Sequence, residues 1–177
     1  YMLEHSTALH ALSDEILAAV ADTSGASVPA WRSIVAHLGV DVENPPNTDR
    51  PCTSSDPNPD NFRLLFVGRF EARKGIDLLL DSLPAILAKH RNIEVTLVGR
   101  DDIPTERGDT YRNQFELLHA KKDWLDRVHF RGEVSDEEVL RAFDDCSVLV
   151  APSRFESFGL IFVEAMRAGK PVIALNK

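Results

Sequence analysis

From residue 62 onward, short apolar runs alternate with segments whose apolar residues recur at helical spacing. Residues 63–68 form an apolar run closing on Gly68, the form a parallel strand takes when both of its faces are buried. Over residues 75–90 the positions Ile76, Leu79, Leu80, Leu83, Ile86 and Leu87 share one helical stripe. Residues 93–98 are a second strand, again followed by a glycine, Gly99, and a polar stretch leads on to a helical pattern over 111–120. Residues 128–131 are a third strand. Ser135 and Glu138 make a capping box that opens a helix over 136–145. Residues 147–151 read as a fourth strand, 160–168 as a short apolar helix closed by Gly169, and 171–175 as a fifth strand. Five strands separated by four helical patterns predict right-handed βαβ crossovers and an open parallel sheet, an α/β fold.

Residues 1–40 carry a fainter version of the same pattern. Residues 8–12 suit a strand, Ser13 an N-cap, 14–21 a helix with acids in its first turn, and 34–38 a second strand. One strand–helix–strand unit cannot bury both faces of a sheet, so it is expected to belong to a larger neighbour. Residues 41–61 hold Pro45, Pro46, Pro51, Pro57 and Pro59, half of the ten prolines, among Asn, Asp, Ser and Thr. Such a segment lacks backbone donors and favours turns, so it reads as a linker. The expected organisation is therefore a tail of one domain (1–40), a linker (41–61) and a second domain (62–177).

Composition narrows the function. The 177 residues allow one ordinary domain and a remainder. Lys and Arg number 20 against 28 Asp and Glu, a net charge of −8, so non-specific binding to a nucleic-acid backbone is not expected. Two cysteines, Cys52 and Cys146, make no disulfide framework and argue for a reducing compartment. No apolar run reaches the ~18 residues that a membrane span needs. The chain opens on Tyr1 rather than methionine, which reads as a piece of something longer.

Ligands of open parallel sheets bind beyond the carboxyl ends of the strands, and three loops there carry unusual chemistry. The first runs from Gly68 to Gly75 and places Arg69, Arg73 and Lys74 within six residues, ahead of a helix N-terminus. That combination suits a diphosphate, with Arg as a fork and Lys as a point charge; a solvated surface loop is the alternative. The second holds Glu156, Ser157, Phe158 and Gly159 ahead of the helix that begins near Leu160 and carries Glu164. Two separated carboxylates suit a polyol such as a sugar or ribose, and Gly159 allows a ligand to approach the amides of Ser157 to Leu160. The alternative is an acid serving the helix dipole with a solvent-facing Glu164, yet Glu164 stands among Leu160, Ile161, Phe162, Val163, Ala165 and Met166. The third, Phe130 to Val134, offers backbone to a flat base edge but taken alone reads better as a simple turn.

Familiar fingerprints are missing. No two of the nine glycines are separated by a single residue, which excludes G-x-G-x-x-G and weakens a dehydrogenase reading. The pair Gly169 and Lys170 has Glu at position 164, where a P-loop needs glycine. With no Asp-x-Asp, a carboxylate-held divalent metal on the phosphates is not indicated, and the six histidines show no metal-ligand spacing. Cys146 reads as a packed thiol.

The run from Phe155 to Ala174 (FESFGLIFVEAMRAGKPVIA) resembles the donor-site signature of retaining glycosyltransferases with two Rossmann-like domains, the GT-B group that includes sucrose-phosphate synthase and glycogen synthase. Its Glu–seven residues–Glu arrangement is matched by Glu156 and Glu164. Its Gly-Arg with a downstream Lys-Gly is matched by Gly68, Arg69, Lys74 and Gly75. The likeness covers residues 62–177 and implies that family's C-terminal, nucleotide-sugar-binding domain. Residues 11–13 and 35–41 look like the end of its N-terminal Rossmann-like domain, with Ala36 and His37 replacing the more usual Pro-Asn or Pro-Leu.

The resemblance implies roles. Arg69 and Lys74 grip the donor diphosphate, Glu164 holds the ribose hydroxyls, and Glu156 meets the transferred sugar. The amides of Phe158, Gly159 and Leu160 contact sugar and phosphate, and the backbone of Phe130 and Arg131 lies near the base. No metal or other cofactor is expected, because cations and a helix N-terminus take the metal's electrostatic part. The implied reaction moves a hexosyl group, with retention, from a nucleoside diphosphate to a hydroxyl of a sugar, lipid or small molecule.

The glycine-rich loop and usual catalytic His of the N-terminal domain have no counterpart in this sequence, nor do the glycine pair and acid that follow the fifth strand. The chain is thus expected to bind nucleotide without transferring sugar. The resemblance further implies a cytoplasmic enzyme, with any contact to the inner membrane surface made through the absent N-terminal half. A sugar-nucleotide epimerase of the same architecture and a non-catalytic nucleotide-binding module are the rival readings.

Overall fold

The computed structural model describes residues 9–11, 14–24, 33–35 and 60–176. The chain falls into two compact units, residues 1–43 with 156–160, and residues 44–155 with 161–177. In the first, β1 (Leu9–Ala11) and β2 (Ser33–Val35) pair in parallel on either side of α1 (Asp14–Ser24) in the chain, Leu9 opposite Ser33 and Ala11 opposite Val35. The helix runs three residues further than its acid-rich start suggests. Positions 36–38 of the expected second strand and residues 41–59 of the expected linker lie outside the described residues.

The second unit is built on a five-stranded parallel sheet of order β5–β4–β3–β6–β7. Its strands are β3 (Phe62–Val67), β4 (Ile93–Val98), β5 (Val128–Gly132), β6 (Val148–Ala151) and β7 (Val172–Ala174). The connecting helices are α2 (Ile76–Lys89), α3 (Tyr111–His119), α4 (Asp136–Asp145) and α5 (Leu160–Arg167). The order turns at β3: the chain moves outward through β4 to β5, then returns to β6 on the other side. Right-handed crossovers therefore put α2 and α3 on one face and α4 and α5 on the other. The two apolar clusters agree with this.

Strand alternation shows why both faces are dry. Leu64 and Phe66 of β3, Val95 and Leu97 of β4, and Val148 and Val150 of β6 join one cluster with Ile76, Leu79, Leu80, Leu83 and Leu87 of α2 and Phe115 of α3. Leu65 of β3, Val98 of β4, and Leu149 and Ala151 of β6 join the other, with Phe143 of α4 and Ala165 of α5. Successive strand residues point to opposite faces, so a strand buried on both sides must be apolar at every position. Cys146 is a buried free thiol in the second cluster, its Sγ 3.3 Å from the Phe143 carbonyl oxygen.

Helix ends follow local chemistry. The Ser135 hydroxyl accepts from the Glu138 N–H, and the Glu138 carboxylate accepts from the Ser135 N–H, so the capping box is complete. The Thr110 side chain caps α3 by accepting from the Asn113 N–H. Among the described residues no helix is long and apolar enough to cross a membrane.

Two glycines permit backbone approaches that no other residue allows. At Gly99, φ is 131° and an added Cβ would stand 2.1 Å from the Gly68 carbonyl oxygen; at Gly75, φ is 71° and it would stand 1.9 Å from the Pro152 oxygen. The first draws the loops after β3 and β4 together at the carboxyl edge. The second brings the loop after β6 against the start of α2. Gly75 is left-handed, which is why α2 begins at Ile76 and not one residue earlier.

Gly108 also has a positive φ, 83°, but an added Cβ there meets nothing within 4 Å. The two sites separate backbone conformation from crowding. Gly108→Ala is expected to cost about 1 kcal/mol, and Gly99→Ala at least about 3 kcal/mol because the crowding adds to the strain. Urea unfolding of the two variants beside the parent chain measures both; equal losses would remove the close approach as a determinant.

Candidate functional site

The loop that leaves β3 folds as a single turn of 3-10 helix over Ala72–Lys74, ended by Gly75. Gly68 donates its N–H to the Val98 carbonyl (2.9 Å), and Phe70 donates to that of Arg100 (2.9 Å), so the loop begins in register with its neighbour after β4. A side chain at Gly68 would meet the Phe66 ring at 3.5 Å and the Lys74 Cγ at 3.8 Å. The Lys74 stem thus lies over the end of β3, where glycine leaves room for it.

The cations are not alone. Arg69 Nη2 reaches Glu71 Oε1 at 2.9 Å, and Arg73 Nη2 reaches the same oxygen at 3.3 Å. One carboxylate oxygen therefore holds two guanidinium groups, while Arg69 keeps more than half of its side chain exposed (58%). Three positive charges in six residues would repel one another; Glu71 relieves that while leaving Arg69 accessible.

A second acid–base pair ties this loop to the one after β6. Both terminal nitrogens of Arg154 donate to Asp77, Nη1 to Oδ1 and Nη2 to Oδ2, each at 2.7 Å. Arg154 Nη1 also donates to the Ala72 carbonyl, and the Arg154 backbone N–H donates to that of Arg73 at 2.8 Å. Arg73 Nη1 in turn reaches the Phe155 carbonyl at 3.3 Å. The hydrogen bonds from Arg154 hold the Asp77 carboxyl below its ordinary value, and Asp77 raises the Arg154 guanidinium. The Asp77 and Glu71 side of the loop borders a cleft of about 840 Å³ between α2 and α3, which Phe70, Tyr111 and Leu118 also line.

Glu164 sits on the α4–α5 side of the sheet. Burial is the main cause that pushes its carboxyl above the ordinary glutamate value, and the negative charge of Asp136 at the start of α4 adds to it. No hydrogen bond or ion pair among the described residues offsets this. A half-buried carboxylate without a donor is costly to ionise.

At β5, alternation sends the two side chains apart. The Phe130 ring joins the α2–α3 side, 6.1 Å from Phe70 and 6.0 Å from Phe115, with the Arg112 guanidinium 5.3 Å from its centre. Arg131 lies on the opposite face, lining a hollow of about 280 Å³ with Thr96, Glu138 and Cys146. What this position offers toward the carboxyl edge is backbone. Gly132 uses its carbonyl there to accept from the Gly99 N–H at 2.8 Å. Glu156, Ser157, Phe158, Gly159 and Leu160 belong to the first compact unit; Gly159 is buried with a φ of 75° and the other four are partly exposed.

The structure places Gly68, Arg69 and Lys74 in the loop that leaves β3 and Glu164 on α5, under the influence of Asp136. Sequence reasoning missed Glu71, Asp77, Arg112 and Arg154. The only sequence signal was that acids interrupt the cationic loop, which does not distinguish a partner from a solvated side chain. Among the described residues no three His, Cys, Asp or Glu side chains gather as a metal-holding group.

A family model described as "Glycosyl transferases group 1" matches residues 53–177. The chain belongs to that family. Among curated relatives it is 35% identical over 138 residues to a phosphatidyl-myo-inositol mannosyltransferase of Mycolicibacterium smegmatis, covering 77% of this chain and 32% of that protein. It is 33% identical over 111 residues to a D-inositol 3-phosphate glycosyltransferase of Corynebacterium glutamicum, covering 62% of this chain and 26% of that protein. The chain therefore spans about a third or less of the length of these relatives. Among solved structures, sucrose-phosphate synthase of Thermosynechococcus elongatus superposes with a TM-score of 0.71 at 30% identity, covering 98% of this chain and 41% of that one. HepE of Anabaena, solved with UDP and glucose, superposes at 0.69 with 22% identity, covering 98% and 45%, and speaks for the fold alone. As in those neighbours, this group 1 glycosyl transferase chain is a GT-B parallel-sheet fold.

Glu164 generates a prediction in which stability and ligand readiness oppose one another. A carboxyl whose folded value lies above its unfolded one contributes stability that is fully present below the unfolded value and lost as pH rises through the folded one. At pH 7 the ionised Glu164 therefore destabilises the unliganded chain. Glu164→Gln is expected to raise the melting temperature at pH 7, with the gain disappearing toward pH 4; each kcal/mol relieved shows as about 2–4 °C in a chain of this size. Thermal melts of parent and variant from pH 4 to 8 test it, and a gain independent of pH would exclude ionisation as the cause.

Proposed function

We propose that this chain supplies the donor side of a retaining glycosyltransferase, which moves a hexosyl group from a nucleoside-diphosphate sugar to an acceptor hydroxyl. The observation that carries the reading is the Arg69–Lys74 loop at the carboxyl end of β3, where exposed Arg69 and half-buried Lys74 precede the start of α2 in a group 1 glycosyl transferase. When the bond between the sugar's anomeric carbon and the phosphate oxygen breaks, negative charge grows on the departing diphosphate. Arg69 and Lys74 are set to stabilise that charge more in the transition state than in the bound donor. In this reading the cations and the helix N-terminus do the work that a divalent metal does elsewhere.

Glu164 accepts from the ribose hydroxyls, which resolves the cost of burying it. Glu156 meets the transferred sugar, the amides of Phe158, Gly159 and Leu160 serve sugar and phosphate, and the backbone at Phe130 and Arg131 lies beside the base. The relatives support a glycosyl donor: one is a phosphatidyl-myo-inositol mannosyltransferase and another a D-inositol 3-phosphate glycosyltransferase. A neighbour solved with UDP and glucose supports a nucleotide-sugar. The acceptor is a hydroxyl of a sugar, lipid or small molecule, with the whole protein working in the cytoplasm or at its membrane face.

Calorimetric titration of the chain with UDP, GDP and ADP, parent against Lys74→Ala, tests the phosphate role directly. The parent should prefer one diphosphate. The variant should bind it about 10- to 100-fold more weakly, the worth of a charge-assisted hydrogen bond of about 1.5–3 kcal/mol. Equal binding by the variant would remove Lys74 from the site.

A further inference from the structure

We infer that Asp77 and Arg154 are positioning residues, a two-sided clamp that sets the geometry of the Arg69–Lys74 loop for a diphosphate; the inference rests on the donor-site reading above. The pair joins residues 77 apart in sequence. Arg154 takes three holds on the other loop: its guanidinium fork grips Asp77, one of the same nitrogens reaches the Ala72 carbonyl, and its backbone N–H reaches that of Arg73. Arg73 returns a bond to the Phe155 carbonyl. Gly75 lies so close to Pro152 that a single Cβ would collide with it. Ala72, Arg73 and Gly75 are therefore each fixed from outside, and Lys74 is strung between them.

This arrangement uses Arg154 up. With both terminal nitrogens committed to Asp77 and one of them also to a carbonyl, the group is occupied as a fastener and not as a phosphate ligand. Its value to binding is indirect: a loop that holds its cations at a fixed separation does not have to order itself when the diphosphate arrives. Lysine cannot substitute fully, because an ammonium is a point charge and the clamp needs a planar fork.

The test compares UDP and GDP with UMP and GMP by calorimetry on the chain, for the parent, Arg154→Ala, Arg154→Lys, the near-isosteric Asp77→Asn, and Asp77→Ala combined with Arg154→Ala. Each single variant is expected to weaken the preferred diphosphate at least about tenfold, within the ~100-fold that a 1 Å misplacement costs, while the monophosphate changes less than about twofold. The double variant should be no weaker than the worse single one, because the two residues act as a unit. Arg154→Lys should recover only part of the loss.

Diphosphate binding within about twofold of the parent in Arg154→Ala and Asp77→Asn would overturn the clamp. So would equal losses for diphosphate and monophosphate, or loss of folding in every variant by circular dichroism, since either marks a purely structural role. If the parent chain itself shows no preference for diphosphate over monophosphate, the donor-site reading fails first, and that outcome is visible before any variant is measured.

Discussion

A parallel sheet with helices on both faces cannot place polar chemistry on its surfaces, and that constraint organises everything else in this chain. Every residue of β6 is buried, and β3 alternates Leu64, Leu65 and Phe66 into two separate cores. Charged groups are left with one useful place to gather, the loops beyond the carboxyl ends. There the backbone must turn sharply and neighbouring loops must pass close to one another. The glycines that close β3, β4 and β5 meet that demand. The contacts of Gly99 with Gly68 and of Gly75 with Pro152 are its tightest expressions. Position and chemistry are thus consequences of the same packing problem.

Within that edge the charges are arranged in pairs of unequal purpose. The Asp77–Arg154 pair is bidentate and further tied to backbone, so it acts as structure. The Glu71 contacts with Arg69 and Arg73 are single, partly solvated and share one oxygen, which makes them weak individually. Glu164 has the opposite character, a carboxyl penalised by burial and by Asp136.

Much of this is legible in the sequence alone. The strand over residues 93–98 and the helix over 136–145 fall where hydrophobic run and capping box placed them, because both signals are local. Boundaries elsewhere moved by one to three residues, as at the end of α1 and at Gly75, where a left-handed φ ends one turn and begins another. The motif residues of the donor signature were also legible as a pattern. What was not legible is the wiring. Asp77 and Arg154 are 77 residues apart, and nothing local distinguishes an acid that grips a distant arginine from one facing water. Among the described residues, the 3-10 turns Ala72–Lys74 and Leu125–Arg127 were likewise not legible in the sequence.

Glu71 gives the cationic loop a property that its cation count conceals. Because one of its oxygens already serves Arg69 and Arg73, the loop carries its own internal counter-ion. In the donor-site reading proposed above, an anion entering here would exchange with a tethered carboxylate instead of condensing onto bare positive charge, and on leaving would find that carboxylate ready to return. The traffic of ligands through such a site depends only weakly on the salt around it, and departure is not opposed by cations left unscreened. A protein that is acidic overall can in this way keep a reusable anion site without holding on to whatever negative group last occupied it.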